Sequence, residues 1–455
     1  MLKYQGKRVL VMGMARSGLS SVQLLMDAGA DLTVYDRKSP QELAEHMGSI
    51  PNRTRLITGE GVEIARGDFD LVVTSPGIPL DNPMMMTIQE AGIPIISEIE
   101  LAFKFKPAEL SLLAITGTNG KTTTTSLVAE IINSAGIPSV AAGNIGLPLS
   151  AAVQAEKEGI VSVECSSFQL EAIQEFHPLV SAIINITPDH LDRHKTMENY
   201  ARIKSRIFMN QTLGEYTILN GDDPLIRQMT PPCKVCYFSF RTTLEQGVWI
   251  ENEDIMVRLD ESPPQRVCRV SEVRLRGRHN LENVLCAVGL TRAAGIEPFL
   301  IRETLIRFEG VKHRLEDIRT VNGVLYVNDS KGTNPESTIK AMESFSDPII
   351  LIAGGSHKNS DFSEMAKVIA RRVKVLVLLG ETRSIIREAA EKVGFRDITE
   401  ASSLEEAVAL AKERADAGDV VLLSPACASY DMFRDYEERG EYFRKIVWSL
   451  GEDRI

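Results

Sequence analysis

What this chain of 455 residues lacks narrows its class before any motif is read. Its six cysteines are scattered, too sparse for a disulfide scaffold, and Cys233 with Cys236 forms a lone CxxC with no second pair at zinc spacing. No apolar run approaches the ~18 residues that span a bilayer. The opening stretch, Met1 to Gly13, leads directly into an expected strand and has neither the long apolar core nor the cleavage site of a secretory signal. Positive charge is short as well. With 51 Lys and Arg against 62 Asp and Glu the net charge is -11, whereas a nucleic-acid binder needs a basic face. Repeats and low-complexity tracts are absent. The expectation is a cytoplasmic protein that engages neither nucleic acid nor membrane.

What is present is an ordinary globular balance, 44% hydrophobic and 25% charged, with length for about three domains of roughly 150 residues. Short β-branched runs ending in glycine or small polar residues alternate with longer helical patterns, which predicts parallel α/β layers. A first block, residues 1–99, has strands expected at Lys7–Met12, Asp31–Tyr35, Asp70–Thr74 and Ile93–Ser97. A second, 100–309, opens with Leu112–Thr116 and continues near Ile160–Glu164 and Ser181–Asn185. Its stretch 215–275 is rich in Pro and polar residues and reads as less regular, before a helix from His279 to Ala294. A third, 310–455, has strands expected at Val324–Asn328, Ile349–Ala353, Val375–Leu379 and Val420–Leu423. Ligands of such sheets sit beyond the carboxyl ends of the strands.

The strongest local signal is the run Leu112-Leu-Ala-Ile-Thr-Gly-Thr-Asn-Gly-Lys-Thr-Thr. An apolar strand enters a turn made of Gly117, Thr118, Asn119 and Gly120, and Lys121, Thr122 and Thr123 open a helix. Glycines let backbone N–H groups converge on phosphate oxygens, and the helix N-terminus adds positive potential. Lys121 can reach the terminal phosphates and Thr122 can ligate Mg2+. The full G-x-x-x-x-G-K-[ST] pattern is not met, because Ile115 stands where its first glycine belongs.

A second turn, Gly13-Met-Ala-Arg-Ser-Gly18, follows the first strand, and Asp36 ends the second. This is nearly a dinucleotide fingerprint, with Ala15 in place of its middle glycine. Asp36 could accept hydrogen bonds from a ribose or a base, with Arg37 and Lys38 beside it. A nicotinamide-dependent oxidoreductase is therefore one alternative, although hydride transfer gives no use to the later phosphate loop. Further on, Glu164 and the group Asp189, His190 and Asp192 follow strands of the second block, where carboxylate and imidazole are plausible Mg2+ ligands. Lys204 sits in a helical pattern that reads on spacing alone as a solvated basic face.

Taken together the motifs resemble the Mur ligase family, the ATP-dependent amide ligases of peptidoglycan precursor synthesis. Thr116-Gly-Thr-Asn-Gly-Lys-Thr-Thr is similar to that family's shortened phosphate loop. The likeness continues through Gly143-Asn-Ile-Gly, Glu164-Cys-Ser-Ser-Phe-Gln-Leu, Asn185-Ile-Thr-Pro-Asp-His-Leu-Asp, Gly277-Arg-His-Asn-Leu-Glu-Asn, His313-Arg-Leu-Glu and Asn328-Asp-Ser-Lys-Gly-Thr-Asn. Ser75-Pro-Gly-Ile-Pro, Ser97-Glu-Ile-Glu-Leu, Gly354-Gly-Ser-His-Lys-Asn-Ser-Asp-Phe and Leu423-Ser-Pro-Ala-Cys-Ala-Ser-Tyr-Asp resemble its D-glutamate-adding branch. The Asp-Asn-Pro-Arg of the branch that adds meso-diaminopimelate is missing. Another Mur-type or a folylpolyglutamate-type ligase is the nearest alternative.

The resemblance implies three α/β domains, with a Rossmann-like fold in the first, a P-loop ATPase-like fold in the second and a Rossmann-like fold in the third. It also implies ATP and Mg2+, with UDP-N-acetylmuramoyl-L-alanine and D-glutamate as substrates of a monomer serving cell-wall synthesis, cell shape and division. By that likeness Arg16, Ser17, Asp36, Arg37 and Ser75 meet the UDP end of the substrate, and Asn144 and His190 hold it further in. Thr122, Glu164, His190 and Lys204 serve the metal ions, with Lys204 carbamoylated. Besides the loop, His279, Asn280, Asn283, Arg314 and Asp329 contact ATP. Thr333, Lys358 and Ser429 receive D-glutamate beside Tyr436, which stands where the family pattern has Phe. Holding three ligands while excluding water implies closure of the third domain.

Overall fold

Runs such as Val9-Leu-Val-Met and Ile349-Ile-Leu-Ile-Ala are apolar at every position, the pattern of strands covered on both faces. The computed structural model describes residues 3–43, 50, 53–59, 67–275, 277–356 and 360–451, with the side chains of Arg278 and His279 outside that set. It divides into two compact units, Met1–Val273 with Glu282–Arg307, and Arg274–Leu281 with Phe308–Ile455.

The first unit holds two sheets. One is fully parallel, in the order β3-β2-β1-β4-β5, built from β1 (Arg8–Met12), β2 (Asp31–Asp36), β3 (Arg55–Thr58), β4 (Leu71–Thr74) and β5 (Ile95–Ser97). Alternate residues go to opposite cores: Val9, Val11, Leu32 and Val34 to one, Leu10, Met12 and Tyr35 to the other. Strand order reverses direction at β1, which puts the turn after it at the switch point of the sheet.

The second sheet has nine strands in the order β14-β13-β12-β11-β10-β9-β6-β8-β7. Its parallel part contains β6 (Leu110–Thr116), β7 (Ser139–Gly143), β8 (Gly159–Glu164), β9 (Val180–Ile183), β10 (Tyr216–Asn220) and β11 (Lys234–Ser239). Beyond β12 (Gly247–Glu251) it turns antiparallel through β13 (Asp254–Arg258) and β14 (Gln265–Arg269). The stretch expected to be irregular, 215–275, is thus five strands extending the central sheet. Their outer members alternate half-buried with buried residues, as in β13, or are exposed at both ends, as in β14, so they lack the continuous apolar runs that mark β6 and β8.

The second unit carries a six-stranded sheet in the order β15-β16-β20-β17-β18-β19. Its strands are β15 (Glu316–Val321), β16 (Val324–Asn328), β17 (Ile349–Ala353), β18 (Val373–Leu378), β19 (Ile398–Glu400) and β20 (Val420–Leu423), parallel except for the β15–β16 pair. Leu351, Leu376 and Leu422 pack into one core and Ile350, Val375 and Val421 into the other. Among the described residues no helix is long and apolar enough to cross a membrane.

Candidate active site

β6 is flanked by β9 and β8, so the turn after it and the residues after both neighbours meet at one sheet edge. The turn ends at Gly120, whose φ of 84° is left-handed and which starts the helix Lys121–Ser134. Only glycine fits here twice over, since a Cβ would also lie 2.0 Å from Asn283 Oδ1. Asn185, just beyond β9, clamps the turn: its Oδ1 accepts from Asn119 N at 2.9 Å and its Nδ2 donates to Asn119 O at 3.2 Å. Thr118 Oγ1 donates to Thr187 O at 3.1 Å and accepts from Thr187 N at 3.0 Å. Backbone that would otherwise be a floppy glycine turn is held in shape.

Two amines converge on this turn. Lys121 Nζ donates to Gly117 O at 3.0 Å and Thr118 O at 2.7 Å, while Lys204 Nζ donates to the same Gly117 O at 2.7 Å. Lys204 is buried, with its ammonium 4.5 Å from the centre of the Tyr200 ring. Burial, with Lys121 adding, drives its pKa well below the ordinary lysine value. The solvated helix face that spacing alone suggested is ruled out.

The carboxylate of Glu164 ends β8 and is almost fully buried. Its Oε2 accepts from Thr122 Oγ1 at 2.8 Å and its Oε1 from Asn144 Nδ2 at 3.0 Å. The structure therefore joins a residue of the phosphate turn, a candidate metal ligand and a candidate substrate contact. His190 is half-exposed in a left-handed backbone conformation, φ 52°, with its ring edge-on to Phe168 at 4.9 Å. Its pKa is lowered by the packing around the ring; Lys121 and Lys204 add to this, while Asp189 and Asp192 oppose it. Among the described residues no cluster of three or more His, Cys, Asp or Glu is gathered as a ready-made metal centre. Carboxylate, hydroxyl and imidazole donors at the turn suit a hard cation that takes its remaining ligands from phosphate oxygens.

At the switch point of the first sheet, the backbone N–H of Met14 donates to Asp36 Oδ2 at 2.8 Å and that of Lys38 to Oδ1 at 3.0 Å. Asp36 thus ties the Gly13 turn to the end of β2. Ser75, after β4, is buried and its Oγ has no partner among the described residues. It lies where a Cβ on Gly13 would come within 2.7 Å, so its hydroxyl faces the glycine turn. Arg16 and Arg37 are exposed and Ser17 is half-buried at the same edge.

In the second unit, Asp329 follows β16 and is fully buried. It accepts from Ser424 Oγ at 2.7 Å and stands 3.5 Å from Arg314 Nη1. Burial raises its pKa and Arg314 opposes that rise. Asn280 is buried near Gly277, donating its N–H to Gly277 O at 3.0 Å. Ser429 is buried after β20, Thr333 is half-buried, and Tyr436 opens the helix Tyr436–Ser449. Lys358 and the side chain of His279 lie outside the described residues. Lys331, quoted within a motif but given no role, places Nζ 3.3 Å from Tyr436 Oη, and Arg439 is buried behind the same loops.

The chain matches family models along its length: Mur ligase MurD-like, N-terminal domain at residues 7–97, Mur ligase middle domain at 115–291, and Mur ligase, glutamate ligase domain at 313–427. It is 46% identical to the UDP-N-acetylmuramoylalanine--D-glutamate ligase of Pelotomaculum thermopropionicum over 463 residues, covering 99% of each chain. This chain belongs to the Mur ligase family. The Clostridioides difficile ligase of the same name is 45% identical, covering 98% of this chain and 99% of its own. Mur ligase folds also appear among solved structures. UDP-N-acetylmuramate-alanine ligase of Thermotoga maritima superposes with a TM-score of 0.60 at 17% identity, covering 97% of this chain and 99% of that one. A pseudomurein peptide ligase type C from Methanothermus fervidus gives 0.60 at 19%, covering 98% and 100%. The three-domain α/β architecture of Mur ligases is therefore that of this chain. The oxidoreductase alternative falls away.

Proposed function

We propose that the chain joins D-glutamate to UDP-N-acetylmuramoyl-L-alanine at the expense of ATP, as a cytoplasmic monomer. The observation that carries this is the pair of amines from Lys121 and Lys204 aimed at one glycine-rich turn, in a chain whose full-length relatives bear that ligase's name. Residues 1–99 take the UDP end of the substrate, 100–309 the ATP and 310–455 the amino acid.

The alanyl carboxylate attacks the γ-phosphate of ATP, ADP leaves and an acyl phosphate forms, and the amine of D-glutamate then displaces phosphate from it with loss of a proton. Backbone N–H groups of the Gly117–Gly120 turn and the start of its helix cradle the triphosphate. Lys121, released from its loop carbonyls, spreads its charge over the transferring group. Asn144, fixed by Glu164, and His190 orient the acid, while Ser75 and Asp36 hold the nucleotide end. Arg16, Ser17 and Arg37 line that end, Asn280, Asn283, Arg314 and Asp329 serve ATP, and Thr333, Lys358, Ser429 and Tyr436 the amino acid. Mg2+ fits the donors Thr122, Glu164, His190 and a carbamoylated Lys204, and when bound it neutralises phosphate charge. Positioning does most of the work.

Phosphate release from ATP, measured with UDP-N-acetylmuramoyl-L-alanine and D-glutamate, L-glutamate or meso-diaminopimelate in turn, tests the reading. Turnover with D-glutamate alone is expected; turnover only with another acceptor reassigns the enzyme.

A further inference from the structure

Among the described residues one of the largest buried side chains is a charged one, Arg439, only 2% exposed in the helix Tyr436–Ser449. A guanidinium has five N–H donors, and here they make five hydrogen bonds to two loops. Nε donates to Ser330 Oγ at 2.9 Å and Nη2 to Ser330 O at 2.8 Å, in the loop after β16. Nη1 and Nη2 each donate to Cys427 O at 3.2 Å, and Nη1 also to Ala428 O at 3.3 Å, in the loop after β20. None of these acceptors is a carboxylate. The strand-end loops gathered here continue to Thr333 on one side and Ser429 on the other. Ser356 N donates to Ala428 O at 2.9 Å, which ties in the loop after β17 as well, and Ser330 Oγ donates to Tyr436 O at 2.8 Å.

Burying a cation without a bonded anion is costly, and an apolar side chain of similar volume would fill the space at lower cost. Burial lowers the Arg439 pKa to about 10, so the group stays protonated at neutral pH. Its charge is therefore a fixed positive centre beneath the loops, offset only in part by Asp431 and Asp329. We propose that Arg439 is the positioning residue of the amino-acid pocket, holding the Ser330–Thr333 and Cys427–Ser429 loops in register and biasing the pocket toward a dicarboxylic acceptor. This rests on the reading that the second unit receives the amino acid.

Arg439→Met, Arg439→Lys and Ser330→Ala are compared with wild type, with Arg444→Gln as a control on the same helix, since Arg444 pairs with Glu316 of β15 and not with the two loops. KM is measured for ATP, for the UDP-linked acid and for D-glutamate, together with Tm. The expected result is a KM for D-glutamate raised by about tenfold or more in Arg439→Met, with the other two KM values within about twofold of wild type. Arg439→Lys, which keeps charge but not the fork, falls between, and Arg444→Gln leaves all three unchanged. If Arg439→Met does not fold, Arg439→Lys and Ser330→Ala decide. An unchanged KM for D-glutamate in a folded variant, or all three rising together, overturns the proposal. Wild type that accepts a different dicarboxylic amino acid instead overturns the acceptor reading alone, and the same comparison is then made with that amino acid; an acceptor with one carboxylate overturns the proposed bias as well.

Discussion

Lys121 and Lys204 donate to one acceptor, the carbonyl oxygen of Gly117, at 3.0 and 2.7 Å. Two ammonium groups that share an oxygen repel each other, and burial, with Lys121 adding, holds the Lys204 pKa well below the ordinary lysine value. A neutral lysine amine is the form that combines with carbon dioxide, and the carbamate that the family resemblance implies for Lys204 would reverse the sign of the site beside Lys121. Lys204→Ala is therefore expected to lower kcat by about 10²–10³-fold, as the loss of a single electrostatic element does. Wild-type activity in carbon dioxide-free buffer is expected to fall and to return with bicarbonate. Full activity in rigorously decarbonated buffer would show that Lys204 works as a plain amine.

Gly120 packs against Asn283 without room for a methyl group, and its φ of 84° adds strain to any other residue. Gly120→Ala is expected to raise the KM for ATP by at least about tenfold and to lower Tm by several degrees. In the double variant with Asn283→Ala the Tm recovers in part, because the clash is removed, while the KM does not. Recovery of both by the second change would mean that the turn's shape is set by packing alone.

Asn185 clamps the turn from β9, and replacing it removes the acceptor for Asn119 N. A buried N–H left unpaired costs about 1–3 kcal/mol. Asn185→Ala is expected to destabilise the protein by that amount, read by urea denaturation, and to weaken ATP binding more than binding of the UDP-linked acid. Asn185→Asp, which keeps the acceptor but loses the donor to Asn119 O, should recover part of the stability. Equal losses for both ligands would show that the clamp is not specific to the turn.

The turn could be read from sequence because all its signals are local: an apolar strand, glycines at fixed spacing, and Lys121 and Thr122 at the helix start. Glu164 and His190 were visible as polar residues at strand ends, but the hydrogen bonds joining Glu164 to Thr122 and Asn144 depend on β8 lying between β6 and β7. Spacing misread Lys204, since a basic residue in a helix looks solvated until the sheet it packs against is known; the family resemblance gave its place. Arg439 was missed for the same reason, with no resemblance to supply it. The antiparallel strands between Gly247 and Arg269 escaped notice because an antiparallel edge, partly exposed, needs no continuous apolar run.

His194 is fully buried, with Nε2 2.9 Å from Ser167 Oγ and its ring stacked between Phe168 at 5.4 Å and Tyr200 at 4.9 Å. Burial first, then the guanidinium of Arg193 and the protonated forms of His190 and Lys204, lower its pKa from 6.5 to about 4. Unfolded chain takes up a proton near pH 6.5 that folded chain refuses until about pH 4, so the folded state is fully favoured above pH 6.5 and loses ground as pH falls through that window. The shift corresponds to roughly 3 kcal/mol at its full extent. His194→Phe keeps the stack but cannot titrate. Its Tm at pH 7.5 is expected to be lower than wild type for want of the Ser167 hydrogen bond, and its further drop on going to pH 5.0 to be smaller. Thermal unfolding of both proteins at the two pH values measures this. If the two proteins lose the same Tm on acidification, His194 does not carry the acid sensitivity, and the other histidines with lowered pKa values, His190 and His313, become the ones to replace.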